Sequence, residues 1–430
     1  MSPAERDQTI DRLVEAQRER LRREWPTGTA DVTEIEERFA RIQRESGREM
    51  TEAMIQEQTG KREGNRTACP CGRGEATYRR QASIDLVTAF GRVRTERAYF
   101  YCDACRDGHC PQDLAWGIGP GNTTPTVQSM VGYLASQAAY TQVPATLKRL
   151  QPQIHLGTKT IELIAQALGK AVQQDPPQIF LPAERPLVAA VDGTILLTRG
   201  EGKEVRCGVV YEPDWEAGRK PEEVRGLRKE FVATVTSSRE ELIGEVCRRV
   251  ERRRPSSETR VAALGDGAPW IWRGYARHLP NRVEVLDYYH ACEHLKVVAA
   301  AWYGGESAAG RLWIARMKGD LQGGGPDGLL RSMRAWRPTT NAARRVKARE
   351  LAYFGKNRQR MKYHVYLRDG LPIGSGSVEG ACKHIVGDRF KLTGMRWNPA
   401  TAEPLLHLRA ALLTDPDLDL RRYAARHILA

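Results

Sequence analysis

Three carboxylates stand where acids can do chemistry. Asp192 follows the apolar run Val188 to Val191 and precedes Gly193; Asp266 follows the run Val261 to Leu264 and precedes Gly267. A buried strand tolerates few unpaired charges. A single Asp-Gly at a strand end is an ordinary turn, but a recurrence, joined by a third acid, points to a shared use. That acid is Glu379, which follows Gly374, Ser375, Gly376, Ser377 and Val378. A serine N-cap there puts the glutamate in the first turn of a helix, where the helix dipole favours its ionised form. Val378, Cys382 and Ile385 make an apolar stripe at helical spacing, and Glu379 and Lys383 share an adjoining face. Two Asp and one Glu are hard oxygen ligands suited to Mg²⁺ or Mn²⁺. Two such ions activate a nucleophile, water or a DNA 3′-hydroxyl, and stabilise the leaving oxygen in phosphodiester chemistry.

Nine cysteines include two close pairs, Cys69 with Cys71 and Cys102 with Cys105. Four thiolates suffice for a closed, structural Zn²⁺ site, unliganded buried cysteines being the plainer reading. The first pair is separated by one proline where knuckles usually have two residues, so His109 or Cys110 are candidate substitutes. Such a module would dock on DNA or act as a structural clasp.

Lys and Arg number 67 against 53 Asp and Glu, a net charge of +14. That balance favours a polyanionic partner, nucleic acid or an anionic surface. No apolar run is long enough to span a bilayer, and Met1 to Arg20 is polar rather than a signal peptide. The expectation is a soluble, cytoplasmic protein with no membrane partner.

The elements that must position these groups follow from periodicity. Residues 1–65 read as a charge-rich helical arm broken at Pro26 and Gly28. Residues 66–115 read as a zinc-ribbon-like module, with strand-forming residues over Ala89 to Cys102. Residues 116–182 are helical, with a helix-turn-helix pattern around Gly157. From Leu187 come three strand-like runs, then a helix over Arg239 to Arg253, a strand at Arg260 to Leu264, a helix at Pro269 to His278, a strand at Val283 to Leu286 and another helix. The order β-β-β-α-β-α-β-α implies a mixed α/β domain of ribonuclease-H-like layout over 183–295 and 371–415. A helical, basic insertion over 296–370 interrupts it, and 416–430 is a C-terminal tail. The fold class is thus multi-domain α+β around an α/β catalytic core.

The blocks "VDGT" at 191, "LGDGAPWIW" at 264, "DYYHACEHL" at 287 and "GSGSVEGACKHIVGDRFKLTGMRW" at 374 resemble the ISKra-type insertion-sequence transposases, Mutator-like DDE enzymes; the likeness spans about 69 to 410. The resemblance implies a transposase that binds the terminal inverted repeats of its element and catalyses metal-dependent cleavage and strand transfer on double-stranded DNA. It also implies a homodimer or larger assembly on that DNA, and a nucleoid-associated place in the cytoplasm. It makes Asp192, Asp266 and Glu379 the catalytic triad and gives Asp287 and His290 accessory roles, Asp287 being the alternative second acid. Lys383, Arg389, Lys391, Arg396 and Trp397 are implied to contact DNA. Some DDE enzymes carry a base seven residues beyond the glutamate; here that residue is Val386.

Two other readings compete. His290, Ala291, Cys292, Glu293 and His294 spell an inverted zinc-protease motif, but a peptidase leaves the Asp-Gly strand ends, the cysteine pairs and the charge unexplained. A domesticated DNA-binding protein or nuclease on the same scaffold is the other alternative. Trp270, Trp272, Trp302 and Trp313 have faces able to stack on unpaired bases, although a place in the core is the plainer reading.

Overall fold

The computed structural model describes the chain except residues 1, 60–63, 180–181, 216–223, 255, 306 and 425–430. It divides into two compact units, Met1–Asp175 with Asp419–Ala430, and Pro176–Leu418.

The first unit opens with two helices, α1 (Pro3–Glu24) and α2 (Val32–Gln58), started by a Ser2 capping box and by Asp31, whose carboxylate accepts the Glu34 amide at 2.8 Å. Of the two forms the sequence allows for this segment, helical arm or helical hairpin, the hairpin is the one observed. A four-stranded antiparallel sheet follows in the order β1 (Arg66–Ala68), β2 (Glu75–Thr88), β3 (Gly91–Cys102), β4 (Asp107–His109). Along the first half of β3 buried and exposed residues alternate, the signature of a strand with one face in a core. Then come α3 (Pro111–Ala115), α4 (Pro125–Gln137), α5 (Val143–Leu150) and α6 (Thr158–Gln174). Ile161, Ile164, Ala165, Leu168 and Val172 bury one face of α6.

The second unit is built on a five-stranded sheet in the order β7-β6-β5-β8-β9. Its strands are β5 (Leu187–Leu196), β6 (Lys203–Asp214), β7 (Arg225–Thr234), β8 (Val261–Gly265) and β9 (Arg282–Leu286). The first three are antiparallel and the last two run parallel to β5. Leu187 to Val191 is buried at every position because helices cover both faces of a central strand. The helices between strands are α7 (Arg239–Arg253), α8 (Pro269–His278) and α9 (Tyr288–Tyr303). The order read from the sequence is thus the order observed, a mixed α/β architecture.

Beyond α9 lie α10 (Ala308–Gly324), α11 (Asp327–Ala335), α12 (Asn341–Lys356) and α13 (Tyr363–Arg368). Residue 296, where the helical insertion was expected to begin, falls inside α9, so the insertion grows out of a helix of the α/β domain. Trp302, Trp313 and Trp336 form its core, Trp302 stacking on Trp336 at 5.1 Å between ring centroids. The chain then returns through α14 (Gly376–Ala381), a π-helical turn at Cys382–Gly387, α15 (Asp388–Phe390) and α16 (Pro399–Thr414). The expected tail is in part a helix, α17 (Arg421–Ala424), with Tyr423 and Ala424 buried; it belongs to the first unit, and Leu420 reaches the α4 glycine Gly132. The remainder of the tail, 425–430, lies outside the described residues.

Two buried polar arrangements hold the sheet's far edge. Glu212 and Glu230, both fully buried, face Arg253, also fully buried, whose guanidinium donates to Glu212 at 2.5 Å and to the Arg228 carbonyl at 2.8 Å. Glu403 of α16 closes the end of β7, accepting the Thr234 hydroxyl at 2.5 Å and the amides of Val235 and Thr236 at 2.7 and 3.1 Å. Burial alone would push this carboxyl up; His407, Thr234 and the Val235 amide outweigh it and hold it down at about 2. A carboxyl depressed from 4.5 contributes stability above that ordinary value and loses it as pH falls from about 4.5 towards 2. Its full contribution is about 3 kcal/mol. Glu403→Gln is therefore expected to lower stability at pH 7 by an amount of that order, and denaturant titrations should show the gap to the parent narrowing between pH 5 and 3. A pH-independent gap contradicts this assignment.

Candidate active site and metal centre

Strand register brings the aspartates together. Parallel pairing sets Ala190 beside Leu264 and Gly265 beside Leu286. Continued past the ends of β8 and β9, it lines up Asp266 and Asp287 with Asp192, which stands inside β5: that strand runs on to Leu196, held by its antiparallel pairing with β6, and does not end at the aspartate as its apolar run suggests. The three lie where the parallel strands end, the place where open sheets gather functional groups. Asp192, Asp266, Asp287, His290, Glu293, Ser375 and Glu379 line one pocket of about 250 Å³. The sequence placed five of these seven in the site.

The acids differ in their surroundings. Asp192 accepts its neighbour's amide, Gly193, at 2.7 Å on one oxygen and the Cys382 thiol at 4.0 Å on the other. Burial pushes its carboxyl up, and the charges of Asp266 and Glu379 push the same way. Asp266 accepts the Ala268 amide at 2.8 Å at the entry to α8, while its carbonyl accepts the Tyr353 hydroxyl at 2.9 Å. Gly267 follows with φ of +97°, a conformation that favours glycine, and a β-carbon there would crowd the Tyr353 ring at 3.0 Å. Glu379 is exposed in the first turn of α14. The expected serine cap is present at Ser375, but its hydroxyl donates to the Glu379 carboxylate at 3.2 Å rather than accepting a backbone amide.

Asp287 is different in kind. It is 5% exposed and takes two amides, His290 at 2.9 Å and Ser375 at 2.8 Å, one on each oxygen. Burial pushes its carboxyl up against those two amides. Its own amide donates to the Gly265 carbonyl and that of Tyr288 to the Ile373 carbonyl, both at 2.9 Å. Asp287 thus caps α9 and ties down the loop that delivers Glu379, whereas Asp266 keeps an oxygen for a ligand.

His290 points to the pocket and lies 3.7 Å from Glu293. His294, the second histidine of the protease-like pattern, instead bonds buried Glu350 at 2.5 Å and stacks on Tyr353 at 3.7 Å. Tyr353 and Glu350 left no signal in the sequence, because they act from a helix more than 50 residues away. For Ser375 the sequence signals the helix cap but neither its amide bond to Asp287 nor its hydroxyl bond to Glu379.

Of the residues implied to touch DNA, Lys383, Lys391 and Arg396 are exposed, with Lys391 donating to Thr194 of β5 at 2.6 Å. Arg389 and Trp397 lie inside. Arg389 is fully buried with its guanidinium 5.2 Å from the Trp397 ring, and the indole donates to the Phe390 carbonyl at 3.0 Å. They brace the segment in place of contacting a partner. Val386, seven beyond the glutamate, is buried. Trp272 is buried beneath Arg360, and Trp270 lies under Arg239.

The four paired cysteines converge at the ribbon's end with all ligand atoms within 4.8 Å of one another, a set that could hold a metal ion such as zinc. Cys69 to Cys105 is 3.7 Å and Cys71 to Cys102 is 3.9 Å between sulfurs. The edge of a tetrahedron with Zn–S of about 2.3 Å is about 3.8 Å. The single-proline spacing works because the chain turns back at once: the Gly72 amide donates to the Cys69 carbonyl at 3.0 Å, with φ of +68° at Gly72. The Cys105 amide, then that of Ala104, holds the Cys102 thiol down to about 7 against its burial. His109 and Cys110 stand outside the set. Among the described residues these cysteines are the one such cluster; the pocket carboxylates are spread more widely.

The sequence matches no family model and no curated protein.

Two outcomes follow from this geometry. Elemental analysis of purified protein should find about one zinc per chain, lost in a Cys102→Ser, Cys105→Ser double variant; a metal-free parent would refute the assignment. Asp287→Ala, which strips two charge-assisted bonds from buried amides, is expected to cost about 3 to 5 kcal/mol in denaturant unfolding. A cost below 1 kcal/mol would remove Asp287 from its anchoring role.

Proposed function

We propose that this protein is a DDE-type DNA transposase of a bacterial insertion sequence, with a ribonuclease-H-like catalytic domain and the triad Asp192, Asp266 and Glu379. One observation carries the reading: the sheet's central strand, the next parallel strand and a late helix each deliver one of these acids to the same pocket. Three antiparallel strands followed by two parallel ones support the ribonuclease-H-like assignment.

The donor set fits Mg²⁺ or Mn²⁺, for the ligands are hard oxygens; burial chiefly raises the Asp192 carboxyl, and the added repulsion from Asp266 and Glu379 is what bound cations relieve. Two such ions, when bound, supply activation of water or a DNA 3′-hydroxyl and charge neutralisation at the leaving oxygen. The protein's own groups do the positioning. Asp287 fixes the loop before Glu379, Ser375 orients the glutamate, and Tyr353 steadies the backbone of Asp266. His290 faces the space where a phosphate would lie. Of the two candidates for second acid, Asp266 is favoured, because both oxygens of Asp287 are occupied by amides. Double-stranded DNA is the partner, namely terminal inverted repeats and a target, bound by a homodimer or larger assembly in the cytoplasm. Structural Zn²⁺ at the cysteine cluster completes the cofactors.

Asp192→Ala and Glu379→Gln are expected to lower Mg²⁺-dependent nicking and joining of the element's terminal repeats by about a thousandfold or more. Asp266→Asn should match them. Unchanged activity in Asp192→Ala and Glu379→Gln sinks the triad.

A further inference from the structure

The chain's positive charge is concentrated in the helical insertion. Residues 296–370 contain sixteen Lys and Arg against five Asp and Glu, eleven of the fourteen net charges of the whole protein. Within it, 328–349 carries seven cations and no acid. This stretch forms the corner where α11 meets α12. Lys347 of α12 donates to the Arg334 carbonyl at 3.0 Å and to that of Trp336, and Arg337 donates to the Arg334 carbonyl at 2.9 Å. Arg334, Arg337, Arg344 and Arg345 are exposed, and none forms an ion pair with a carboxylate among the described residues.

We infer that this corner grips the phosphate backbone of duplex DNA beside the reacting phosphate, an inference that rests on the DNA-processing reading above. Three features select the duplex. No large apolar side chain of 328–349 is exposed, so the corner has nothing to insert into a bilayer. Its one aromatic, Trp336, is 4% exposed and stacked on Trp302, leaving no platform for unpaired bases. Unpaired, closely spaced cations on a rigid scaffold are what backbone contact and counterion release require. The corner also has a fixed relation to the pocket, because α12 itself ends on it. Arg344 and Tyr353, whose hydroxyl holds the Asp266 carbonyl, are nine residues apart on one helix. At a rise of about 1.5 Å per residue that is about 14 Å, or about four base pairs of duplex. The corner therefore holds DNA about four base pairs from the point of cleavage, through phosphates and without reading sequence.

The test uses the full-length protein and a fluorescent duplex of random sequence, titrated over a salt series. Combining Arg334→Gln, Arg337→Gln, Arg344→Gln and Arg345→Gln should flatten the slope of log K against log salt by about 3 to 4, near 0.9 per lost contact. Affinity should fall equally for every sequence, with circular dichroism unchanged. A parent that binds duplex and a variant that keeps its slope overturn the grip while leaving the catalytic reading intact. Conversely, a flattened slope alongside undiminished nicking by Asp192→Ala upholds the grip and removes the triad. Tighter binding of the parent to vesicles of anionic lipid than to duplex also overturns the inference.

Discussion

The buried carboxylate of Asp287 is the constraint on which the site depends. Two segments 88 residues apart, the start of α9 and the loop before α14, present one unpaired amide each, and a single side chain satisfies both. An amide buried without a partner costs about 1 to 3 kcal/mol, so the arrangement is strongly determined. Because the loop is held at Ser375, the next turn places Glu379 in the pocket with Asp192 and Asp266. The long helical excursion between α9 and α14 thus has both its ends fixed at one point.

Much of this was legible in the sequence, for identifiable reasons. The β-β-β-α-β-α-β-α order followed from continuous apolar runs for buried strands and a 3.6-residue period for helices, and the structure reproduces it with boundaries shifted by a few residues. The pocket acids stood out because a charge ending an apolar run is costly unless used. What stayed hidden depends on contacts between distant segments. Arg389 and Trp397 resemble surface ligands in a list of basic and aromatic residues, yet each buries the other. Glu350 and Tyr353 look like ordinary positions of a charged helix until α12 is laid against α9. The cysteine pairs were legible as ligands, although the tight turn that lets Cys69 and Cys71 share a site across one proline was not.

The second unit handles charge in two contrasting ways. At the far edge of the sheet Glu212, Glu230 and Arg253 are paired and buried, a network that fixes α7 against β6 and β7. Removing one member of such a set costs more than the pair contributes, because it strands the others in a low dielectric. At the pocket like charges are gathered without a buried cation among the described lining residues, and burial together with Asp266 and Glu379 pushes the Asp192 carboxyl up.

The return of α17 to the first unit has a consequence for how the chain is made. Between α6 and α17 lie the 243 residues Pro176–Leu418, so the first unit is discontinuous. Leu420 and the helix α17, with Tyr423, leave the ribosome only after the entire second unit has been synthesised. At about 5 to 20 residues per second that delay is roughly 10 to 50 s. Throughout it the α4 surface around Gly132 lacks its covering helix, and the nascent first unit remains open until the second unit is complete.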